Sequence, residues 1–263
     1  MLMECYVDVS SDARHSKYYA CGAAVGNHDQ WDWFDMQWSH ETHALKMPFR
    51  ATDCEGGHGQ FKNWPKPKRD ALMGALVDIF LACKLFGVAA IVPVDEFRRS
   101  FPALRDRDAF FLAVTQVIMN MAHIANLAVF KAEMWFEQGP YNGMVHQVYD
   151  SVRALNWKPA RSLGGIHFEG KKLRPLQAAD LIARESFKHL DNLGVRKTRI
   201  PVRRMSDILC FMRWTEPALQ RLAANGGPTN LMYLANLDAP DNAPQLVHFW
   251  KKSWAILEKE KPR

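Results

Sequence analysis

The sequence predicts an α/β fold in which a mixed β-sheet is flanked by helices. Residues 4–9 alternate apolar and polar side chains with the two-residue period of a strand. Residues 88–94 form a short, continuous apolar run after a helical pattern, which is typical of a strand covered on both faces. Strand and helix patterns then alternate as far as residue 190. At 263 residues the chain is long enough for one domain with an appendage.

The predicted sheet begins with three antiparallel strands. Residues 4–9 are followed by a turn, and residues 18–25 are rich in small and β-compatible side chains that suit a returning strand. Residues 31–38, WDWFDMQW, alternate tryptophan with polar residues and are predicted as a third, more exposed strand.

Residues 40–67 are expected to form a long irregular segment that is rich in glycine and proline. Within it Asp53 and Glu55 stand beside Gly56 and Gly57. Two interpretations stay open: a backbone that bends around an ion or phosphate, and a solvated loop with incidental acids.

Beyond this segment the patterns predict helices over residues 68–86, 107–125, 141–155 and 173–190, and strands over residues 88–94, 127–136 and 166–169. A basic loop follows residue 192, with helical patterning over residues 205–224 and a terminal helix over residues 246–258 that carries Trp250 and Trp254. The expected organisation is therefore a domain over residues 1–191 and a basic, helical extension over residues 192–263.

Composition excludes several classes of protein. Five widely spaced cysteines without a CxxC pair argue against a disulfide framework or structural zinc. No secretion signal and no apolar run of membrane-spanning length were found, so a cytoplasmic protein without membrane contact is expected. Phosphate-binding GxxxxGK[ST] and GxGxxG motifs are absent from the sequence. The net charge of +6 suits a polyanionic partner such as nucleic acid.

Three acidic residues occupy positions that suggest a site. Asp8 lies near the end of the first strand, Glu137 follows a later strand, and Asp180 lies at the edge of the apolar arc of a late helix. A carboxylate leaning toward a core needs a cationic partner or a metal ion, and Arg184, one turn later, is the simpler partner for Asp180. If the three acids meet, their oxygen ligands suit Mg2+ or Mn2+.

Four segments carry a resemblance to a known family: LQAADLIA at residues 176–183, RATDCEGGHGQFKNW in the long loop, FKAEMWFEQG around residue 137, and YVDVSSD at the start. They resemble the bacterial and phage family called domain of unknown function 3800, which is predicted to be ribonuclease H-like. The order of predicted elements is close to the same plan. The resemblance implies an acidic cluster of Asp8, Glu137 and Asp180, with Asp53 or Glu55 as a fourth member, holding two metal ions for phosphodiester cleavage.

The chain departs from the family pattern at two positions. Val9 stands where a glutamate is usual after the first aspartate, and Arg50 stands where a histidine is common. Fewer carboxylates lower the affinity for a cation. The alternative function is therefore a catalytically degenerate protein that acts as a nucleic-acid-binding or assembly module.

Basic side chains supply the expected contacts to nucleic-acid phosphates. The predicted contacts are Lys62, Lys66, Arg196, Lys197, Arg199, Arg203 and Arg204. The tryptophans of the predicted terminal helix need a surface to cover, and a second copy of the chain is one candidate, which would make the protein a homo-oligomer.

Overall fold

A six-stranded mixed sheet forms the centre of the protein, and its strands lie in the order β5-β4-β1-β2-β3-β6. The computed structural model describes residues 2–12, 14–195, 197 and 199–236. Arg196 and the predicted terminal helix over residues 246–258 therefore lie outside the described residues. The strands are β1 (Leu2–Ser11), β2 (Tyr18–Gly26), β3 (Phe86–Pro93), β4 (Lys131–Glu137), β5 (Leu163–Glu169) and β6 (Leu209–Arg213). The first three are antiparallel, β4 and β5 continue parallel to β1, and β6 runs parallel to β3.

Helices pack on both faces of this sheet. They are α1 (His28–Thr42), α2 (Ala51–Gly56), α3 (Lys66–Ala82), α4 (Val94–Ser100), α5 (Asp106–Ala128), α6 (Asn142–Arg153), α7 (Arg174–Asp191), α8 (Ile200–Arg204), α9 (Glu216–Ala224) and α10 (Leu231–Ala235). α7 contacts β1, β2 and β3 on one face, and α5 contacts β2, β3 and β4 on the other. The predicted α/β class with a helix-flanked mixed sheet is confirmed.

For most elements after residue 67, the prediction of helix or strand is confirmed. The predicted helices correspond to α3, α5, α6 and α7, and the predicted strands to β3, β4 and β5, with ends that differ by a few residues. The largest differences are the start of β4, at residue 131 rather than 127, and the end of α3, at residue 82 rather than 86. All eight residues of β3 are buried, as the continuous apolar run indicated.

The predicted third strand over residues 31–38 is wrong, because these residues lie in α1. Trp31, Phe34 and Trp38 are buried on one side of this helix, at the three- and four-residue spacing of a helical stripe. Asn27 caps the helix: its side chain accepts a hydrogen bond from the Gln30 backbone N–H, and the Gln30 side chain accepts one from the Asn27 N–H. The third antiparallel strand is β3 instead.

Two further predictions of local structure are wrong. Residues 40–67 are not wholly irregular, since they contain α2 and a short 3-10 helix over Gly59–Phe61. The helix predicted over residues 205–224 is interrupted, because β6 extends the sheet beside β3 and α9 begins only at Glu216. Thr215 and Pro217 mark the start of α9 in the sequence, and the prediction of one continuous helix overlooked this signal.

The close packing of α7 on β2 depends on Gly22. A Cβ atom added at Gly22 would lie 2.5 Å from the backbone nitrogen of Ala183 in α7. Small residues on both elements therefore let the helix backbone approach the sheet, and this approach brings Asp180 toward the strand ends.

α5 is long and apolar enough by length and composition to cross a membrane, with a mean hydropathy of 1.4 over its best window. This helix differs from the expectation that the chain contains no apolar run of membrane-spanning length. Within the fold 72% of that window is buried, and core helices of soluble proteins meet the same criterion.

Candidate functional site

The structure brings Asp8, Glu137 and Asp180 together at the carboxyl ends of β1 and β4. These strands are parallel neighbours in which Val7 pairs with Phe136, so the next residues, Asp8 and Glu137, lie side by side. Asp180 comes from α7, which packs over β1 and β2. Asp8 and Asp180 are both buried, with 6% and 7% exposure, although both carry ionisable groups.

The ammonium group of Lys171 lies among the three acids. Its Nζ atom is 2.7 Å from Asp8 Oδ2, 3.0 Å from Asp180 Oδ1 and 3.5 Å from Glu137 Oε2. The Lys171 side chain is only 6% exposed and comes from the turn between β5 and α7. Burial of a carboxylate is costly unless a cation compensates its charge, and Lys171 supplies that cation.

Each acid uses its second oxygen for a different donor. Asp8 Oδ1 accepts a hydrogen bond of 2.8 Å from the Val9 N–H, and Asp180 Oδ2 accepts one of 2.6 Å from the Ala51 N–H at the start of α2. Glu137 Oε1 accepts one of 3.3 Å from Arg50. The outer oxygens are thereby held, and one oxygen of each acid is left to face a single point.

Burial sets the proton affinities of this cluster. It raises the pKa of Asp8 and of Asp180 above the ordinary aspartate value, while Lys171 opposes the rise and the neighbouring Glu137 adds to it at Asp8. Burial alone would lower the pKa of Lys171, but Asp8, Asp180 and Glu137 together raise it above the ordinary lysine value. Lys171 is therefore charged at neutral pH, and three carboxyl groups share one ammonium.

The donor chemistry suits a hard divalent cation, but the space is taken by Lys171. The described part of the chain contains no group of three or more His, Cys, Asp or Glu side chains arranged to hold a metal ion as it stands. Carboxylate oxygens are the ligands that Mg2+ and Mn2+ prefer. The residues would fit such an ion only after the Lys171 ammonium has left the centre.

Asp53 and Glu55, the predicted fourth members, are placed differently from the other acids. The other acids are joined by Lys171, and among the described residues Asp53 in α2 forms no ion pair with that lysine. Glu55 pairs with Arg184 at 2.7 Å and with Arg199 at 2.6 Å. Arg184, the expected partner of Asp180, pairs with Glu55 instead, and Asp180 pairs with Lys171.

The Arg199 side chain joins a buried ionic network. It contacts Glu185 of α7 at 2.7 Å, and the Glu185 side chain is fully buried. Burial raises the pKa of Glu185, although Arg199 acts in the opposite direction. Most of the hydrogen-bonding capacity of Arg199 is thus used inside the protein, which leaves few donors for a phosphate.

The other predicted basic residues differ in whether an acidic side chain pairs with them. Lys66 pairs with Asp70, and Arg204 pairs with Asp78. Lys62, Lys197 and Arg203 are exposed and have no ion pair among the described residues.

Lys171 is the site residue that sequence reasoning missed. It stands in EGKKLRP, a polar stretch that looks like a solvated turn. A signal was present, because acids predicted to converge in a buried place require a cation and Lys171 lies only nine positions before Asp180. Which of the neighbouring lysines turns inward is decided by tertiary packing, since Lys172 is exposed.

Comparison with models of protein families and with curated proteins finds no match for this chain.

Proposed function

We propose that this protein is a metal-dependent phosphodiesterase of ribonuclease H-like fold that acts on nucleic acid. The observation that carries the proposal is the convergence of one oxygen each from Asp8, Glu137 and Asp180 on a single cation position at the carboxyl edge of the sheet. The order of three antiparallel strands followed by two parallel ones agrees with it. The resemblance in residues 176–183 supports the same assignment.

Asp8 and Asp180 would bind the ion, and Glu137 would complete the set of ligands. Divalent ions at such sites activate water and stabilise the leaving oxygen of a phosphodiester. The hydrogen bonds from Val9, Ala51 and Arg50 fix the carboxylates in place, so that little rearrangement of the acids is needed. The inward oxygens define one position, and a second ion would need oxygens that now accept these hydrogen bonds.

Binding of the ion competes with Lys171. Three carboxylates around one ammonium leave an excess of negative charge, which a divalent cation balances better than a monovalent one. The ammonium holds the acids in place until the ion displaces it, so the affinity for the ion is set by a competition inside the protein.

The test is a calorimetric titration with Mn2+ of the wild type, Asp180→Asn and Lys171→Met. We expect Asp180→Asn to lose metal uptake, and Lys171→Met to bind Mn2+ about tenfold or more tightly than the wild type because the competing charge is gone. Asp70→Asn removes an exposed carboxylate outside the cluster and serves as the matched control. Mn2+ uptake that is unchanged in both Asp180→Asn and Lys171→Met would contradict the proposal.

Cleavage is measured on the same proteins with single-stranded, duplex and hybrid substrates in Mn2+. We expect cleavage by the wild type and by Asp70→Asn, and none by Asp180→Asn. Cleavage that survives Asp180→Asn unchanged would rule out the acid cluster as its source.

A second candidate is a non-catalytic nucleic-acid-binding or assembly module. The observation that favours it is that Lys171 already pairs with all three acids and occupies the position of a cation inside the fold. This candidate predicts nucleic-acid binding without cleavage, and no Mn2+ uptake that depends on Asp180. Either candidate predicts binding that weakens steeply with salt, through exposed cations such as Lys62, Lys197 and Arg203.

A further inference from the structure

A cavity of about 250 Å³ lies beside the acid cluster, at the carboxyl ends of β1 and β4. Asp8 and Glu137 line it together with residues from α5, β5 and the start of α6. Asp8 and Glu137 are therefore shared between the cavity and the proposed cation site. Its volume is below the usual range for sites that bind drug-sized molecules, so it suits a single ring system.

Aromatic side chains line the cavity. Phe110 and Tyr141 lie with ring centroids 5.3 Å apart, and Phe136 and Phe168 lie 6.0 Å apart. Tyr141 is 40% exposed, so its ring stands at the opening. Aromatic rings of this kind stack on flat heterocycles, and they stack on any nucleobase whatever its identity.

Two side-chain amides contribute uncharged polar groups to the lining. Asn142 Oδ1 accepts a hydrogen bond of 2.8 Å from the Gly139 N–H, which leaves its Nδ2 without a recorded partner in the described part of the chain. The exposed Gln138 side chain makes no hydrogen bond to a described residue. Amides of this kind match the donors and acceptors on the edge of a nucleobase.

The lining contains no Lys or Arg, and its two charged residues are acids. A phosphate is therefore unsuited to the cavity itself, whereas the proposed cation at the acid cluster, with Arg50 beside Glu137, would supply positive charge there. A nucleotide would place its uncharged base in the cavity and its phosphate at the cluster.

We infer that this cavity binds one unpaired nucleobase next to the scissile phosphate, which makes single-stranded nucleic acid the substrate class. The inference rests on the proposed function. A base in a duplex is stacked and paired, so its entry into the cavity would first require unpairing at a cost in free energy. Single strands enter without that cost.

The first test compares adenosine 5′-monophosphate with ribose 5-phosphate by calorimetry in saturating Mg2+. The two differ only in the base, and we expect the nucleotide to bind about tenfold more tightly. Tyr141→Ala should remove this difference and leave ribose 5-phosphate unchanged, and Tyr141→Phe should keep it. Trp33→Ala, which removes an exposed aromatic on α1 outside the cavity, is the matched control.

The second test follows adenosine, which has no phosphate, by saturation-transfer NMR in a chelating buffer. We expect saturation transfer to the base protons of adenosine in the wild type and no such transfer in Tyr141→Ala. A circular dichroism spectrum of Tyr141→Ala that matches the wild type shows that the variant is folded. Equal binding of the nucleotide and ribose 5-phosphate, or unchanged adenosine contact in Tyr141→Ala, would overturn the inference.

These results separate the two proposals. Adenosine bound through Tyr141 in a protein that takes up no Mn2+ and cleaves nothing would contradict the proposed function alone. Asp180-dependent cleavage with no preference for a base or for single strands would contradict the nucleobase site alone.

Discussion

Lys171 and the three acids form one unit at the scale of single residues. Each acid gives one oxygen to the ammonium and one to a separate donor, so their charges and their orientations depend on one another. Removing Lys171 would leave the buried Asp8 and Asp180 without their cation, and the loss of one partner costs about 3–5 kcal/mol in comparable buried pairs.

The positions of the acids could be predicted because strand ends and apolar helix faces are visible in sequence patterns. Asp8 and Glu137 follow strand patterns, and Asp180 interrupts an apolar arc. The inward turn of Lys171 could not be predicted, because no local pattern distinguishes it from the exposed Lys172.

The raised pKa of Asp180 predicts a specific dependence of stability on pH. The folded state keeps a proton that the unfolded state releases, so stability falls as the pH rises from the ordinary aspartate value of 3.8 through the raised value. We expect Asp180→Asn to flatten this fall, by up to about 1.4 kcal/mol for each pH unit over which the proton is retained.

The measurement is the free energy of unfolding in urea between pH 4 and pH 7, in a chelating buffer. Asp70→Asn, outside the cluster, is expected to keep the wild-type slope. If the free energy of unfolding falls equally steeply with pH in Asp180→Asn, the burial of Asp180 does not control the pH dependence of stability.

At the scale of elements, the contact between α7 and β2 positions the site. Gly22 permits it, because any side chain there meets the backbone of Ala183. The sequence indicated both elements through their small and apolar residues, but not their contact, which arises between segments about 160 positions apart.

We expect Gly22→Ala to destabilise the protein by about 1–3 kcal/mol, because the added methyl group forces α7 away from the sheet. Gly74→Ala is the control: it lies in α3 with nothing within 4 Å of an added Cβ. Alanine is the better helix former, so Gly74→Ala should stabilise by about 0.5–1 kcal/mol. Chemical denaturation measures both, and equal effects of the two changes would contradict this account of the packing.

The misassigned α1 shows where sequence patterns are ambiguous. Trp31 and Trp33 have the two-residue spacing of a strand, whereas Trp31, Phe34 and Trp38 have the spacing of a helical stripe, and both patterns occur in one short window. The capping box of Asn27 and Gln30 marks a helix start, and burial of Trp31, Phe34 and Trp38 follows the helical period.

At the scale of the whole molecule, residues beyond α7 are joined to the rest by charge as well as by β6. Arg199 bridges the buried Glu185 of α7 and Glu55 of α2. The basic composition of residues 194–204 predicted an exposed loop, and the partial burial of Arg199 follows from carboxylates on elements distant in sequence.

Arg199→Met should lower the free energy of unfolding by about 3–5 kcal/mol, since Glu185 loses its partner inside the protein. Arg203→Met, at an exposed position without an ion pair among the described residues, should change it by less than about 0.5 kcal/mol. Thermal and urea unfolding of both variants measure the difference, and similar stabilities would show that the Arg199 network contributes little.

The ammonium of Lys171 has a consequence for how the protein matures. Proteins whose acidic centres lack an internal counterion depend on dissolved metal to complete their structure. This chain carries its own counterion in Lys171, so newly made molecules can reach their native shape without dissolved metal, and the proposed ion would bind afterwards. Metal supply would then regulate what the protein does rather than whether it survives.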